Sequence, residues 1–183
     1  MRVISGIYRG RVLKSPPDNK TRPTSDRLRE TLFNVLAPRI DDETRFLDLC
    51  AGTGAIGIEA LSRGAAFVTF IDKSKRSCAL IEENLDKLEV PEDSTEIIGH
   101  EAENFTGREH KQGWDIAFYD PPYDADYSLV FHEFGYNRTL LNDGGILVVE
   151  HHSKKQVPDE TGSLRRWRVI KQGETSLSFY ERS

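Results

Sequence analysis

Residues 115–123 read DIAFYDPPY, and the last four are the ones that could do chemistry. An apolar run ends at Tyr119 and delivers Asp120, Pro121, Pro122 and Tyr123. An exocyclic amino group on a nucleobase is a poor nucleophile, because its lone pair is delocalised into the ring. The Asp120 side chain and the Pro121 carbonyl offer two acceptors for its hydrogens, which would turn the lone pair toward an electrophile. The proline pair fixes the direction of that carbonyl. Tyr123 offers a flat face on which a base can stack. Catalysis of this kind is mostly proximity and alignment, and it needs neither a metal nor a strong base.

A second group lies upstream. Residues 46–57 read FLDLCAGTGAIG, with glycines at 52, 54 and 57, and Asp72 follows Gly52 by twenty residues. The glycines let a backbone approach a nucleoside, and a strand-end carboxylate accepts from ribose hydroxyls. The pattern fits two cofactors. In a dinucleotide enzyme the helix N-terminus holds a pyrophosphate. With S-adenosylmethionine (AdoMet) there is no phosphate, and Asp48 in D-x-x-x-G-x-G would take the ammonium of the methionine moiety, directly or through water. The spacing alone leaves both open.

Alternating elements must position these residues. Short strands are predicted at 46–49, 67–71, 95–98, 114–119 and 145–150, with helices over 55–62, 74–88 and 126–134. A helix capped by Thr24 or Ser25 precedes them, with Leu28, Leu32, Val35 and Leu36 at helical spacing and Pro38 at its end. Strand–helix alternation implies a parallel sheet covered on both faces. Residues 164–170 and 176–181 flank a tight turn at Gly173 and must pair antiparallel. Residues 2–14 read as two short strands around Gly6 to Gly10, and residues 15–24 as loop. No internal repeat or low-complexity segment interrupts this order. In open sheets ligands sit at the carboxyl ends of the strands, so Asp120 is expected in one crevice with Asp48, Gly52 and Asp72.

At 183 residues the chain suits one domain. Its longest apolar runs are too short to span a bilayer, no apolar stretch follows Arg2 and Arg9, and two cysteines make a disulfide scaffold implausible. A soluble, cytoplasmic, reduced protein is expected. Net charge is −5, but it is unevenly spread: +6 over residues 1–39, −14 over 40–150, and +3 over 151–183. A basic arm on an acidic body suits a module that touches a polyanion at one end.

The strings RVISGIYRGRVLKSPP, TRPTSDRLRETLFNVL, LDLCAGTGAIGIEALSRGA, DPPY, GGILVVEH and GETSLSFY follow one another from end to end. Together they resemble the bacterial RsmD family, which methylates N2 of a guanine in 16S ribosomal RNA. The resemblance implies a Rossmann-like α/β AdoMet-dependent methyltransferase fold. Its mostly parallel seven-stranded sheet would end in an antiparallel hairpin. Residues 1–24 would form a basic hairpin-and-loop extension and residues 25–183 the methyltransferase domain. Carried over by position, Asp120, Pro121, Pro122 and Tyr123 form the reaction site. Asp48, Gly52, Gly54 and Asp72, with Ala51, Lys73, Glu101 and Ala102 beside them, form the cofactor site. Either His100 or Glu101 would meet the adenine. The implied partner is 16S rRNA or the assembling small subunit, with no membrane, no metal, and a monomeric chain.

For RNA, Arg22 and Arg29 are candidate phosphate ligands. Arg2, Arg9 and Arg11 surround Tyr8, which could stack on a base. Lys154, Lys155, Arg165, Arg166 and Arg168 either extend that face or are simply solvated. Adjacent His151 and His152 point to opposite faces of a strand, which is poor metal geometry. Cys50 stands where the family more often has Phe and reads as a small buried hydrophobe. An adenine-N6 DNA methyltransferase would need a target-recognition insertion, for which the chain has no room. A non-catalytic RNA-binding module with a relic pocket is the other alternative, and intact DPPY argues against it.

Overall fold

The computed structural model describes residues 1–16 and 25–183. Its sheet has eight strands in the order β3-β2-β1-β4-β5-β8-β7-β6. β1 (Arg45–Leu49), β2 (Phe67–Ile71), β3 (Thr95–Ile98), β4 (Trp114–Tyr119) and β5 (Leu141–His152) are parallel neighbours. β8 (Thr175–Arg182) lies antiparallel between β5 and β7 (Leu164–Gln172), and the two-residue β6 (Glu160–Thr161) edges β7. The seven strands expected are therefore present, with the short β6 added.

Successive strand residues enter opposite cores, as the pleat requires. Phe46, Val68, Phe118, Val148 and Phe179 face a layer holding α1 (Asp26–Leu36), α2 (Ala55–Ser62) and α3 (Lys75–Lys87). Leu47, Ile71, Ala117, Val149 and Tyr180 face α4 (Ala102–Thr106) and α5 (Ser128–Tyr136). Both faces of β1 and β4 are covered, which is why apolar residues stand at successive positions, 46–47 in β1 and 116–119 in β4, instead of alternating with polar ones. The short α4 carries no periodic signal long enough to be read from sequence. α5 begins two residues later than expected, because Asp126 accepts from the Ser128 N–H and turns the chain there. Ser25, whose side chain accepts from the Leu28 N–H, caps α1.

The basic N-terminal segment differs from the pair of strands expected. One isolated bridge, Arg2 to Val12, stands in their place. The segment is stapled onto the domain instead. Val3 and Leu13 are buried in the α1–α2–α3 core. Buried Glu59 accepts from the N–H groups of Ile4 and Ser5, and Ser62 at the end of α2 receives Ile7 and Tyr8. Gly6, at φ 86°, rests on Ser62, where a Cβ would lie 1.7 Å from the carbonyl oxygen. Among the described residues no helix is long and apolar enough to cross a membrane.

Candidate active site

β1 ends in a turn whose backbone enters the left-handed region three times, at Cys50, Gly52 and Gly54 (φ 61°, 57° and 77°). Gly54 caps α2, which starts at the next residue. Gly57, one turn on, is needed for packing: a Cβ there would sit 2.3 Å from the Phe70 ring. The two acids are held by main chain. Asp48 is buried and its Oδ2 accepts from the Gly57 N–H at 2.9 Å. Asp72, just past β2, accepts from the N–H groups of Gly52 (2.8 Å) and Ser74 (2.9 Å). Burial pushes the Asp48 carboxyl up to about 8; the Gly57 N–H opposes that and Asp72 adds to it. The N-terminus of α2 is thus already occupied by the protein's own carboxyl group, in the place where a dinucleotide enzyme would bind pyrophosphate.

β4 delivers the second half. Tyr119 is paired with Val149, so Asp120 and Glu150 follow side by side. Burial raises the Asp120 carboxyl well above the usual range, and Glu150 and Asp48 raise it further. Pro121 is buried, whereas Tyr123 is 64% exposed. The loop is braced from the segment after β5. Lys155 Nζ donates to the carbonyls of Tyr123 (3.3 Å) and Ala125 (2.9 Å) and lies 4.3 Å from the centre of the Tyr127 ring. His152 meets the Tyr123 ring edge-on at 5.2 Å. His151 turns the other way, onto Ser178.

Both halves open into one cavity of 790 Å³. Ala51, Lys73, Glu101 and Ala102 line it, as does His100. The Glu101 side chain stands 3.7 Å from Lys73, so this acid leans toward the rim. Its described lining carries five carboxyl side chains, Asp48, Asp72, Glu101, Glu103 and Asp120, against a single lysine. Buried Asp48 and Asp120 gain most by ionising beside a cation, so the lining suits a cationic nucleoside better than a pyrophosphate. Cys50 lines the cavity as well, and burial and the carboxylates around it hold its thiol firmly protonated.

The residues expected to meet RNA are scattered. Arg2, Arg9 and Arg11 are exposed, with Arg2 on the Gly10 carbonyl and Arg11 on the Lys87 carbonyl. Tyr8 is half-buried against the core. Arg22 lies outside the described residues. Arg29 requires a correction. It is fully buried and donates to the Arg2 carbonyl and to Asp26, so it joins α1 to the N-terminal segment and presents nothing to a phosphate.

Sequence reasoning named neither Glu150 nor Asn84, and gave His152 and Lys155 no part in holding the reaction loop. Asn84 is buried in α3, donates to the carbonyls of Thr53 and Lys14, and so ties the glycine turn to the N-terminal segment. The strand-end rule that found Asp120 also covers the end of β5, and could have found Glu150 and His152. Nothing local marks Asn84 or Lys155.

The sheet order and the acid-flanked glycine turn define the class: this is the Rossmann-like fold of AdoMet-dependent methyltransferases. Residues 1–181 match the family described as Conserved hypothetical protein 95. The chain belongs to that family, the RsmD family. Ribosomal RNA small subunit methyltransferase D of Escherichia coli is 34% identical over 100% of this chain and 90% of its own length. The Haemophilus influenzae protein of the same name is 32% identical over 98% of this chain and 91% of its own. Among solved structures, the Escherichia coli protein yhhF superimposes with a TM-score of 0.87 at 33% identity, covering 100% of this chain and 98% of that one.

Proposed function

We propose that this protein transfers a methyl group from AdoMet to the exocyclic N2 amine of a guanine in small-subunit ribosomal RNA. The observation that carries the reading is the single acidic crevice in which the glycine turn and DPPY meet. The names of the full-length relatives supply the RNA.

The residues present fit the cofactor. Asp48, Asp72, the glycine turn and the neighbouring Ala51, Lys73, Glu101 and Ala102 would hold it. When bound, AdoMet supplies an electrophilic methyl group on a sulfonium. All other steps fall to the chain. Asp120 and the Pro121 carbonyl accept from the guanine amine and aim its lone pair at the crevice. Tyr123 stacks on the base, and Lys155 and His152 hold the loop that carries it. The amine grows acidic as it gains carbon, so it loses its proton without a strong base. The gain comes from alignment.

The test is mass spectrometry of nucleosides after incubating naked 16S rRNA, or the isolated small subunit, with protein and isotope-labelled AdoMet. N2-methylguanosine carrying the label is expected. Label appearing in N6-methyladenosine instead would overturn the guanine assignment, and the substrate that accepts label tells free RNA from assembled subunit.

A further inference from the structure

The described crevice lining holds five carboxyl groups and one lysine, so it offers little to the phosphates that must accompany a target guanine. Some other surface must hold the RNA. β7, sequence LRRWRVIKQ, holds four basic residues and no acid. β6 pairs only with its first two residues, so beyond Arg166, which is engaged by Asp159, the outer edge of β7 is open among the described residues. β5 and β7 are both antiparallel to β8 and therefore run in the same direction. The register continues from Gln172 through Thr175 to His152, whose ring meets Tyr123. β7 thus leads along the sheet to the reaction loop.

A basic edge strand by itself needs no ligand, since charge also keeps sheets from pairing edge to edge. Trp167 is different. It is 45% exposed on that edge, where an indole invites aggregation. The register shift between Arg166 and Arg168 turns Trp167 onto Phe179, at 5.6 Å between ring centres. Arg168 is directly opposite Phe179, so a guanidinium and an indole share one face. That pair combines a phosphate ligand with a stacking platform.

We infer that β7 is an RNA-docking strand: Trp167 stacks on an unpaired base, and Arg165 and Arg168, on the same face, bind the phosphates of a single-stranded segment leading to the crevice. This rests on the methyltransferase reading above.

The probe is a single-stranded oligoribonucleotide from small-subunit rRNA, titrated at several salt concentrations. Trp114 is buried and hydrogen-bonded to Thr69, so quenching of tryptophan fluorescence reports on Trp167. Saturable quenching is expected for the native protein. Trp167→Ala should bind about tenfold more weakly, in the lower part of the range for one stacked base. Arg165→Ala and Arg168→Ala, both surface changes, should each flatten the log–log salt dependence by about 0.7. AdoMet affinity by calorimetry should not move. If Arg165→Ala/Arg168→Ala binds the RNA with unchanged affinity and slope, the proposal fails while the methyltransferase reading stands. It fails in the same way if these variants lose binding to a ribosomal protein but keep naked RNA. If the native protein neither binds nor methylates RNA, the underlying reading fails too.

Discussion

The two halves of the crevice are built from different material. On the cofactor side, main chain does the holding: Asp48 takes the Gly57 N–H, and Asp72 takes those of Gly52 and Ser74. On the acceptor side, side chains hold main chain: Lys155 gathers the carbonyls of Tyr123 and Ala125, and the Tyr123 ring stands in solvent beside His152. The first half is part of the fold's packing. The second is a loop leaning on another strand's end. Changes in the first should therefore cost stability, and changes in the second should cost turnover at constant stability.

The largest effect is expected at Asp120. Asp120→Ala should lower turnover on RNA about a hundredfold or more, equivalent to about 3 kcal/mol, by losing a near-attack arrangement. Cofactor affinity and thermal midpoint should hardly change. Asp120→Asn should keep part of the activity, since its amide oxygen still accepts a hydrogen bond. Full turnover by Asp120→Ala would dissolve the contrast between the halves. Gly57→Ala tests the opposite side. Its Cβ would meet Phe70 at 2.3 Å and Val68 at 2.8 Å, so about 1–3 kcal/mol of stability should be lost in denaturant titration. Unchanged stability would mean that α2 can retreat from the sheet.

Lys155→Ala comes next. It frees two carbonyls and one ring, all in the acceptor half. Turnover should fall about tenfold, a modest share of what alignment supplies. A fall in AdoMet affinity of the same size would show that the two halves are not separable.

The same contrast explains what is legible in the sequence. The cofactor half is contiguous: glycines and acids at fixed spacing around one strand–turn–helix unit, with backbone geometry that dictates residue type. The acceptor half has one local motif, DPPY, and supports drawn from residues 150–155. Those residues meet the loop only because β5 lies beside β4, a fact of sheet order. Arg29 misleads for a simpler reason. It stands four residues before Phe33 and seven before Leu36, so helical periodicity already turns it inward with them. Reading it as a phosphate ligand weighs its charge and neglects its phase. The basic N-terminal segment misleads in the same way, since its charge hides the alternation that sends Val3 and Leu13 into the core.

A further test separates the halves by proton count. The Asp48 carboxyl is raised from 3.8 to about 8, first by burial, then by Asp72, against the Gly57 N–H. Between those values the folded protein holds a proton there that the unfolded chain releases. Stability contributed by this group is therefore greatest below about pH 4, falls as pH rises through that window, and levels off above about 8. Asp48→Asn keeps an acceptor for Gly57 but cannot titrate, so its stability should depend less steeply on pH. Binding a cation reverses the preference, because an ammonium favours the ionised carboxylate. AdoMet should then bind more tightly as pH approaches 8, and binding near pH 7 should release protons. Calorimetry in buffers of different ionisation enthalpy counts them. Asp120 is raised too, by burial and then by Glu150 and Asp48, so the native protein's count contains more than one group. The difference between native protein and Asp48→Asn isolates the cofactor half. If both release the same number of protons, Asp48 does not meet the ammonium, and the carboxyl at the head of α2 serves only the fold.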